Sequence, residues 1–175
     1  MNKFRRISEN DLPMLLEWRR DPEVCKYLNT VPDDIEQQKK WFDSVKNNPS
    51  KKYIIFNHND VDIGLYGLVN IDYENKKLEI GGYGPEKYLG NGYANIGFAC
   101  MLHYIFTIMH FNKVYATMPT FNYRSLKMTL RHGMQIEGVL KDWFFYDGKF
   151  YDDFIVSILK KDWKNENIPN YIVYE

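Results

Sequence analysis

At 175 residues, with 23 basic and 23 acidic side chains, the chain has the size of one folding domain and no charge bias toward nucleic acid or an anionic membrane. Cys25 and Cys100 stand far apart with no CxxC and no histidine at ligand spacing, so neither a zinc site nor a disulfide framework is indicated; no metal is expected, and the reducing cytoplasm is the simplest setting. The longest apolar stretch, residues 96–109, is broken by Cys100, His103 and Thr107 and is too short to cross a bilayer, so no membrane partner is expected.

In chain order, residues 3–7 alternate as a short strand, and Ser8 opens a helix over 11–19 with Leu12, Leu15, Leu16 and Trp18 on one face, a region that Pro22 closes. Asp33 and Asp34 are acidic caps for a second amphipathic helix carrying Ile35, Lys39, Trp41, Phe42 and Val45 and ending near 47–49. Strands over 52–56, 61–71 and 77–83 follow, separated by the turn sequences His58-Asn59-Asp60 and Glu74-Asn75-Lys76, which makes an antiparallel meander. Residues 91–109 are apolar nearly all round and predict a buried helix, followed by a strand over 113–118 and a helix over 122–132. Asp147-Gly148 joins strands over 135–146 and 149–159 as a hairpin, and a polar tail runs from Lys160. No linker or repeat divides the chain, so one α/β domain over 1–175 is expected. The aromatic residues, 17% of the chain, are spread without basic flanks and read as core and pocket walls rather than as stacking platforms for bases.

Between Glu79 and Ala94 a strand runs into a glycine-rich turn that opens the long helix. Such a junction attracts anions, because the amides of the first helical turn lack intrahelical partners and the helix dipole adds positive potential. Gly90 and Gly92 would let a pyrophosphate approach the main chain, and Lys87 could add a charge-assisted bond. A dinucleotide fingerprint would need a third glycine where Asn95 stands, and a phosphate-binding P-loop would need a Gly-Lys-Ser/Thr run that is absent.

With Lys87-x-x-Gly90-x-Gly92-Tyr93-Ala94 the sequence resembles the pyrophosphate loop of the GNAT superfamily of N-acetyltransferases. The ordered series Asp11, residues 18–24, Trp41-Phe42, Ile63-Gly64, Asn122-x-x-Ser125, Gly133, Glu137-Gly138 and Tyr151-x-Asp153 is similar to its ribosomal-protein-acetyltransferase-like branch, from Phe4 to about Trp163. The resemblance implies a mixed, mostly antiparallel central sheet flanked by helices, with fourth and fifth strands splayed to admit the pantetheine arm of acetyl-CoA as cosubstrate. It points to the backbone near Gly82, Tyr83 and Gly84 for the pantetheine, and to Lys87, Gly90, Asn91, Gly92, Tyr93 and Ala94 for the pyrophosphate. Asn122 and Ser125 are the expected contacts from the next helix, although Asn122 is equally an N-cap by its own chemistry.

An amine attacks a thioester only as the free base, so the site must remove a proton and then protonate or stabilise the departing thiolate. The resemblance implies Glu79 as a proton relay, with a plain strand-pairing role as the alternative. The tyrosine that many relatives place seven residues after Asn122 is here Thr129, a far poorer acid, which leaves Ser125, Tyr83, Tyr88 or water for the thiolate and keeps open a CoA-binding module without catalysis. His58, His103, His110 and His132 are scattered without a nucleophile pattern and read as structural.

The partner implied is a small-molecule primary amine. Residues 17–24 and 47–53 and the extra residue between Pro85 and Gly90 are most similar to acetyltransferases of nucleotide-linked amino sugars. A polyamine, for which Asp33, Asp34 or Glu36 would give an acidic lining, and a protein N-terminus remain alternatives. The hairpin from Trp143 to Tyr151, with Phe144, Phe145 and Phe150, is expected to expose apolar surface for an acceptor pocket or a homodimer contact.

Overall fold

The alternating segments fold as their period demands. In the computed structural model, which describes residues 1–88, 90–164 and 168–174, they form one eight-stranded sheet. Its strands are β1 (Asn2–Arg6), β2 (Lys52–His58), β3 (Val61–Asp72), β4 (Lys77–Tyr83), β5 (Lys113–Pro119), β6 (Gln135–Tyr146), β7 (Lys149–Leu159) and β8 (Tyr171–Tyr174). The order across the sheet is β6-β7-β5-β4-β3-β2-β1-β8, with β4–β5 and β1–β8 parallel and the other neighbours antiparallel. The mixed, mostly antiparallel sheet expected from the sequence is therefore present.

The two faces differ in how they are covered. On one, Phe4, Phe56, Tyr66, Leu68, Leu78, Ile80, Val114 and Val156 pack beneath α4 (Tyr93–His103), which contributes Phe98, Met101 and Leu102 to the same cluster. Each side chain of this size that is fully buried contributes about 1.5–3 kcal/mol. The apolar surround of α4 is explained by this burial, and its last turn widens into a π-helical segment over Tyr104–Ile108. On the other face Ile55 and Leu65 meet Leu15 and Trp18 of α1 (Leu12–Arg20), a smaller cluster that also takes in Tyr53 and Tyr83. Beside α1 lies α3 (Ile35–Val45), whose Trp41 meets the Tyr53 ring edge-on at 4.9 Å.

Two expectations are corrected. Pro22 does not simply close α1: it starts a four-residue helix, α2 (Pro22–Cys25), because Asp21 caps the new turn through the Glu23 amide and proline is well suited to a first helical position. The tail after Lys160 is not only polar extension. Residues Tyr171–Tyr174 add β8 beside β1, held by the Tyr171 ring against Phe4 and by a hydrogen bond between Tyr171 and His103.

Candidate active site

The glycine-rich turn is positioned from beneath. Tyr66 on β3 donates from its hydroxyl to the carbonyl of Ala94, and Gly97 lets α4 settle onto the Tyr66 ring, so the first turn of α4 is fixed to the sheet. Gly90 and Gly92 have φ of +84° and +82°, the left-handed region that favours glycine, and a Cβ at either would project into open space. The Ile96 amide closes onto the Gly92 carbonyl, which leaves the amides of Tyr93, Ala94 and Asn95 at the helix start without intrahelical acceptors. Asn91 donates to the Lys87 carbonyl across the turn, and the Lys87 ammonium lies over the Tyr88 ring at 5.0 Å. Asp21 accepts from the Glu86 amide, tying the start of this turn to the end of α1. Leu89 lies outside the described residues.

β4 and β5 part company early. They pair only at Lys77–Lys113, Leu78–Val114 and Glu79–Tyr115, after which Ile80 to Tyr83 and Ala116 to Pro119 run without a ladder between them. Gly81 and Gly82 are exposed although they lie on a central strand, which is what a slot between the two strands produces. A Cβ at Gly82 would meet the Leu65 carbonyl at 2.8 Å and one at Gly84 the Ile63 carbonyl at 2.4 Å, so those two glycines answer to β3 packing. A Cβ at Gly81 would meet nothing within 4 Å, so Gly81, two residues after Glu79 and on the same face, borders open space beside the slot.

Glu79 stands where the ladder ends. Its Oε1 accepts from Thr117 Oγ1 at 2.8 Å, bridging the two strands at the mouth of the slot, and its Oε2 accepts from Asn70 Nδ2 at 2.8 Å. Strand alternation puts Glu79, Tyr115 and Thr117 on the face that carries α1 and α3, opposite to α4. Asp153 on β7, paired with Pro119, lies on this face too; it is 4% exposed and its Oδ1 has no hydrogen-bond partner among the described residues. Burial, and after it the charge of Glu79, push the Asp153 carboxyl up to about 6. Burial likewise raises Tyr115, with Glu79 adding to the shift.

A slot ended by a carboxylate and flanked by a glycine turn at a helix start is the arrangement implied by the resemblance in sequence, and residues 3–135 match the acetyltransferase (GNAT) domain. The chain belongs to the GNAT acetyltransferase family. It is 29% identical over 166 residues to the uncharacterized N-acetyltransferase p20 of Bacillus licheniformis, covering 91% of this chain and 93% of that one. It is 22% identical to the spermidine N(1)-acetyltransferase of Vibrio cholerae over 94% of this chain and 96% of that one. The crystal structure of spermidine N-acetyltransferase from Vibrio cholerae in complex with CoA and spermine superposes with a TM-score of 0.85 at 20% identity, covering 92% of this chain and 96% of that one. Membership makes the chain an acyltransferase, so the reading of a CoA-binding module without catalysis is set aside.

Within this GNAT fold the remaining expected residues fall as follows. Asn122 caps α5 (Tyr123–Arg131) by accepting from the Ser125 amide at 3.2 Å, and Ser125 itself is half-buried at the start of that helix. Thr129 is buried and spends its hydroxyl on the Leu126 carbonyl, so it is no substitute for a tyrosine acid. The Tyr83 backbone borders the slot, but its ring turns into the α1 cluster, where the hydroxyl is buried without a partner among the described residues and burial raises its pKa far above that of an ordinary phenol. Asp34 caps α3 through the Gln37 amide, Asp33 accepts from the Gln37 side chain and Glu36 pairs with Lys39, so these acids serve their own helix. His58 bonds Asn2, His103 bonds Tyr171 and the His132 ring packs tilted against Phe98, all structural placements.

The hairpin divides its aromatics between two faces. Phe144, Tyr146 and Tyr151 turn inward to Phe121, which also meets Tyr27 at 5.7 Å, and together they make an aromatic wall beside Asp153. Phe144 is therefore 3% exposed, a correction to the expectation that it lies on the surface, because a bulge between Leu140 and Phe144 changes which side chains face inward. Trp143, Phe145 and Phe150 remain more than 60% exposed on the outer side. Sequence reasoning missed Asn70, Gly81, Thr117 and Tyr27 as site residues and noted Asp153 only as part of a motif; each sits on a different element, and no local pattern joins them.

Proposed function

We propose that the chain transfers the acetyl group of acetyl-CoA to a primary amine held on the α1–α3 face of the slot. The observation that carries this reading is the slot itself, open at Gly81 and ended by Glu79. The residues present fit the cosubstrate: bare glycines in left-handed turns leave room for a pyrophosphate, the free amides of α4 face it, and the unpaired edges of β4 and β5 suit the amides of a pantetheine arm. When bound, acetyl-CoA supplies an activated thioester. Gly90, Asn91, Gly92, Tyr93, Ala94 and Lys87 hold its pyrophosphate, the backbone near Gly82, Tyr83 and Gly84 lines its pantetheine, and Asn122 with Ser125 flanks the sulfur end. Glu79, fixed by Thr117 and Asn70, holds the acceptor ammonium at the slot and relays its proton through water. Ser125 donates a hydrogen bond to the departing thiolate.

For the acceptor we propose a nucleotide-linked amino sugar, supported by the wall of Tyr27, Phe121, Tyr146 and Tyr151, against which flat rings can stack. A polyamine is the second reading, favoured by the carboxylates of Glu79 and Asp153 and by the relatives named spermidine acetyltransferases. We also propose that the outer face of Trp143, Phe145 and Phe150, on the β6–β7 hairpin at one edge of the sheet, contacts a second copy of the chain. The test is thiol release from acetyl-CoA with a panel of amino sugars, polyamines and peptides. Acceptor-dependent release is expected; release that is indifferent to every amine would overturn the reading.

A further inference from the structure

We infer that Asp153 is the group on which the proton of the acceptor amine comes to rest, Glu79 holding the ammonium and relaying that proton to Asp153 through water. This rests on the acetyl-transfer reading above. Both oxygens of Glu79 already accept hydrogen bonds, from Thr117 and Asn70, whereas Oδ1 of Asp153 is buried and accepts none. Buried carboxylates are as a rule paired, and an unpaired one costs the protein stability by its lost hydration. A residue that is kept at such a cost points to use by a ligand, and an ammonium group is the ligand that would satisfy it.

The surroundings offer no other partner among the described residues. Sharing this face of the sheet with Asp153 are Glu79 on β4, Tyr115 and Thr117 on β5 and, on its own strand, Tyr151 and Ser157. Of the cations on the adjoining strands, Lys141 on β6 pairs with Asp152, which alternation puts on the reverse face, and Lys113, at the far end of β5 opposite Leu159, pairs with Glu137. The charge that acts on Asp153 is thus the repulsive one of Glu79, and a cation between the two carboxylates relieves it. A carboxyl raised to about 6 is also a stronger base than an ordinary aspartate, which suits it to the transfer.

The bonds balance. One N–H bond of the ammonium breaks as an O–H bond forms on Asp153; the free amine then forms a C–N bond to the acetyl carbon as the C–S bond breaks. The nitrogen gives up a second proton, the thiolate ends as a thiol, and the net reaction releases one proton to solvent.

The isosteric variant Asp153→Asn tests this in the full-length chain. With whichever amine the panel identifies, turnover is expected to fall about 10²- to 10⁴-fold while calorimetric affinity for acetyl-CoA stays at the wild-type value. The acid limb of the wild-type rate profile, centred near pH 6, should vanish from the residual activity. The variant should also melt higher than wild type above pH 6, and the difference should shrink toward pH 4, because an aspartate whose pKa is raised by folding costs stability only where it is charged. A lower melting temperature at neutral pH would assign Asp153 a structural role and overturn the inference. So would wild-type turnover with the acid limb intact, or lost acetyl-CoA affinity at unchanged turnover. If the unmutated chain acetylates no amine, it is the parent reading that fails.

Discussion

The two sides of the slot are built from different materials. On the α4 side the work falls to backbone: glycines at φ of +84° and +82°, free amides at a helix start and unpaired strand edges. On the α1–α3 side it falls to side chains, with Glu79, Thr117, Asn70, Asp153 and an aromatic wall drawn from β3, β4, β5, β6, β7 and two loops. A cosubstrate whose phosphates and amides never change can be held by main chain, whereas an acceptor must be chosen by side chains that substitution can alter. Variants on the two sides should therefore separate binding from rate.

The largest effect is expected on the side-chain side. Glu79→Gln should lower turnover by about 10²- to 10⁴-fold with acetyl-CoA affinity near wild type, measured by thiol release and calorimetry. The deficit should shrink as pH approaches the acceptor's own pKa, where free amine forms without help. A variant with wild-type turnover at pH 7 would leave Glu79 as a strand-end residue that merely bridges β4 to β5.

On the backbone side Gly92→Val should reverse the pattern. A β-branched residue at a φ of +82° costs about 1–3 kcal/mol in strain, and its side chain would fill space that is open in the glycine form. Acetyl-CoA affinity is then expected to fall by about 10- to 100-fold or more. Unchanged affinity in calorimetry would move the pyrophosphate away from this turn.

This contrast also explains what the sequence disclosed. The backbone side was legible because its signals are local: Gly90 and Gly92 fall within one turn, and residues 91–109 show their burial by being apolar all round. Glu79 was singled out through the family resemblance, with a plain strand-pairing role as the alternative. Asp153, Thr117 and Asn70 were not, since their role exists only once β7 pairs with β5 and β5 leaves β4, and nothing in the spacing of 70, 79, 117 and 153 encodes that meeting. Phe144 was misplaced because a bulge resets alternation, and β8 was overlooked because four residues are too few for a period to show against a polar segment. Elements with long runs, such as β3 and α4, came out where their patterns put them.

A smaller effect is expected far from the slot. Arg5 bonds both oxygens of Asp11 at 2.9 Å, and Ser8 adds its amide and hydroxyl, fastening β1 to the start of α1. Burial pushes the Asp11 carboxyl up, but these bonds together more than offset it and leave the group below its ordinary value. An acid depressed by folding contributes stability in full above its unfolded pKa and loses it as pH falls through the folded one, so this contribution should fade only below about pH 4. Asp11→Asn should cost about 2 kcal/mol at neutral pH, read as a lower melting temperature, and the gap to wild type should narrow in acid. Turnover per folded molecule should hardly change, which would separate this anchor from the slot.

The smallest effect on chemistry is expected at the outer face of the hairpin. Trp143, Phe145 and Phe150 are each more than 60% exposed, and the Phe145 and Phe150 rings pack on one another at 4.9 Å without reaching the inner wall. Phe145→Asp should thus leave the folded chain within about 0.5 kcal/mol of wild type, as surface changes usually do. What should change is the mass in solution: a charge placed in an apolar contact between copies opposes association, so light scattering should report a dimer for wild type and a monomer for the variant. Because Phe144, Tyr146 and Tyr151 face the other way, the acceptor wall stays intact, and turnover should fall at most a few-fold through loosening of the hairpin. Two results would count against this division of the hairpin. A wild type that is already monomeric removes the contact, and a large loss of turnover at unchanged mass places Phe145 on the acceptor side of the strand.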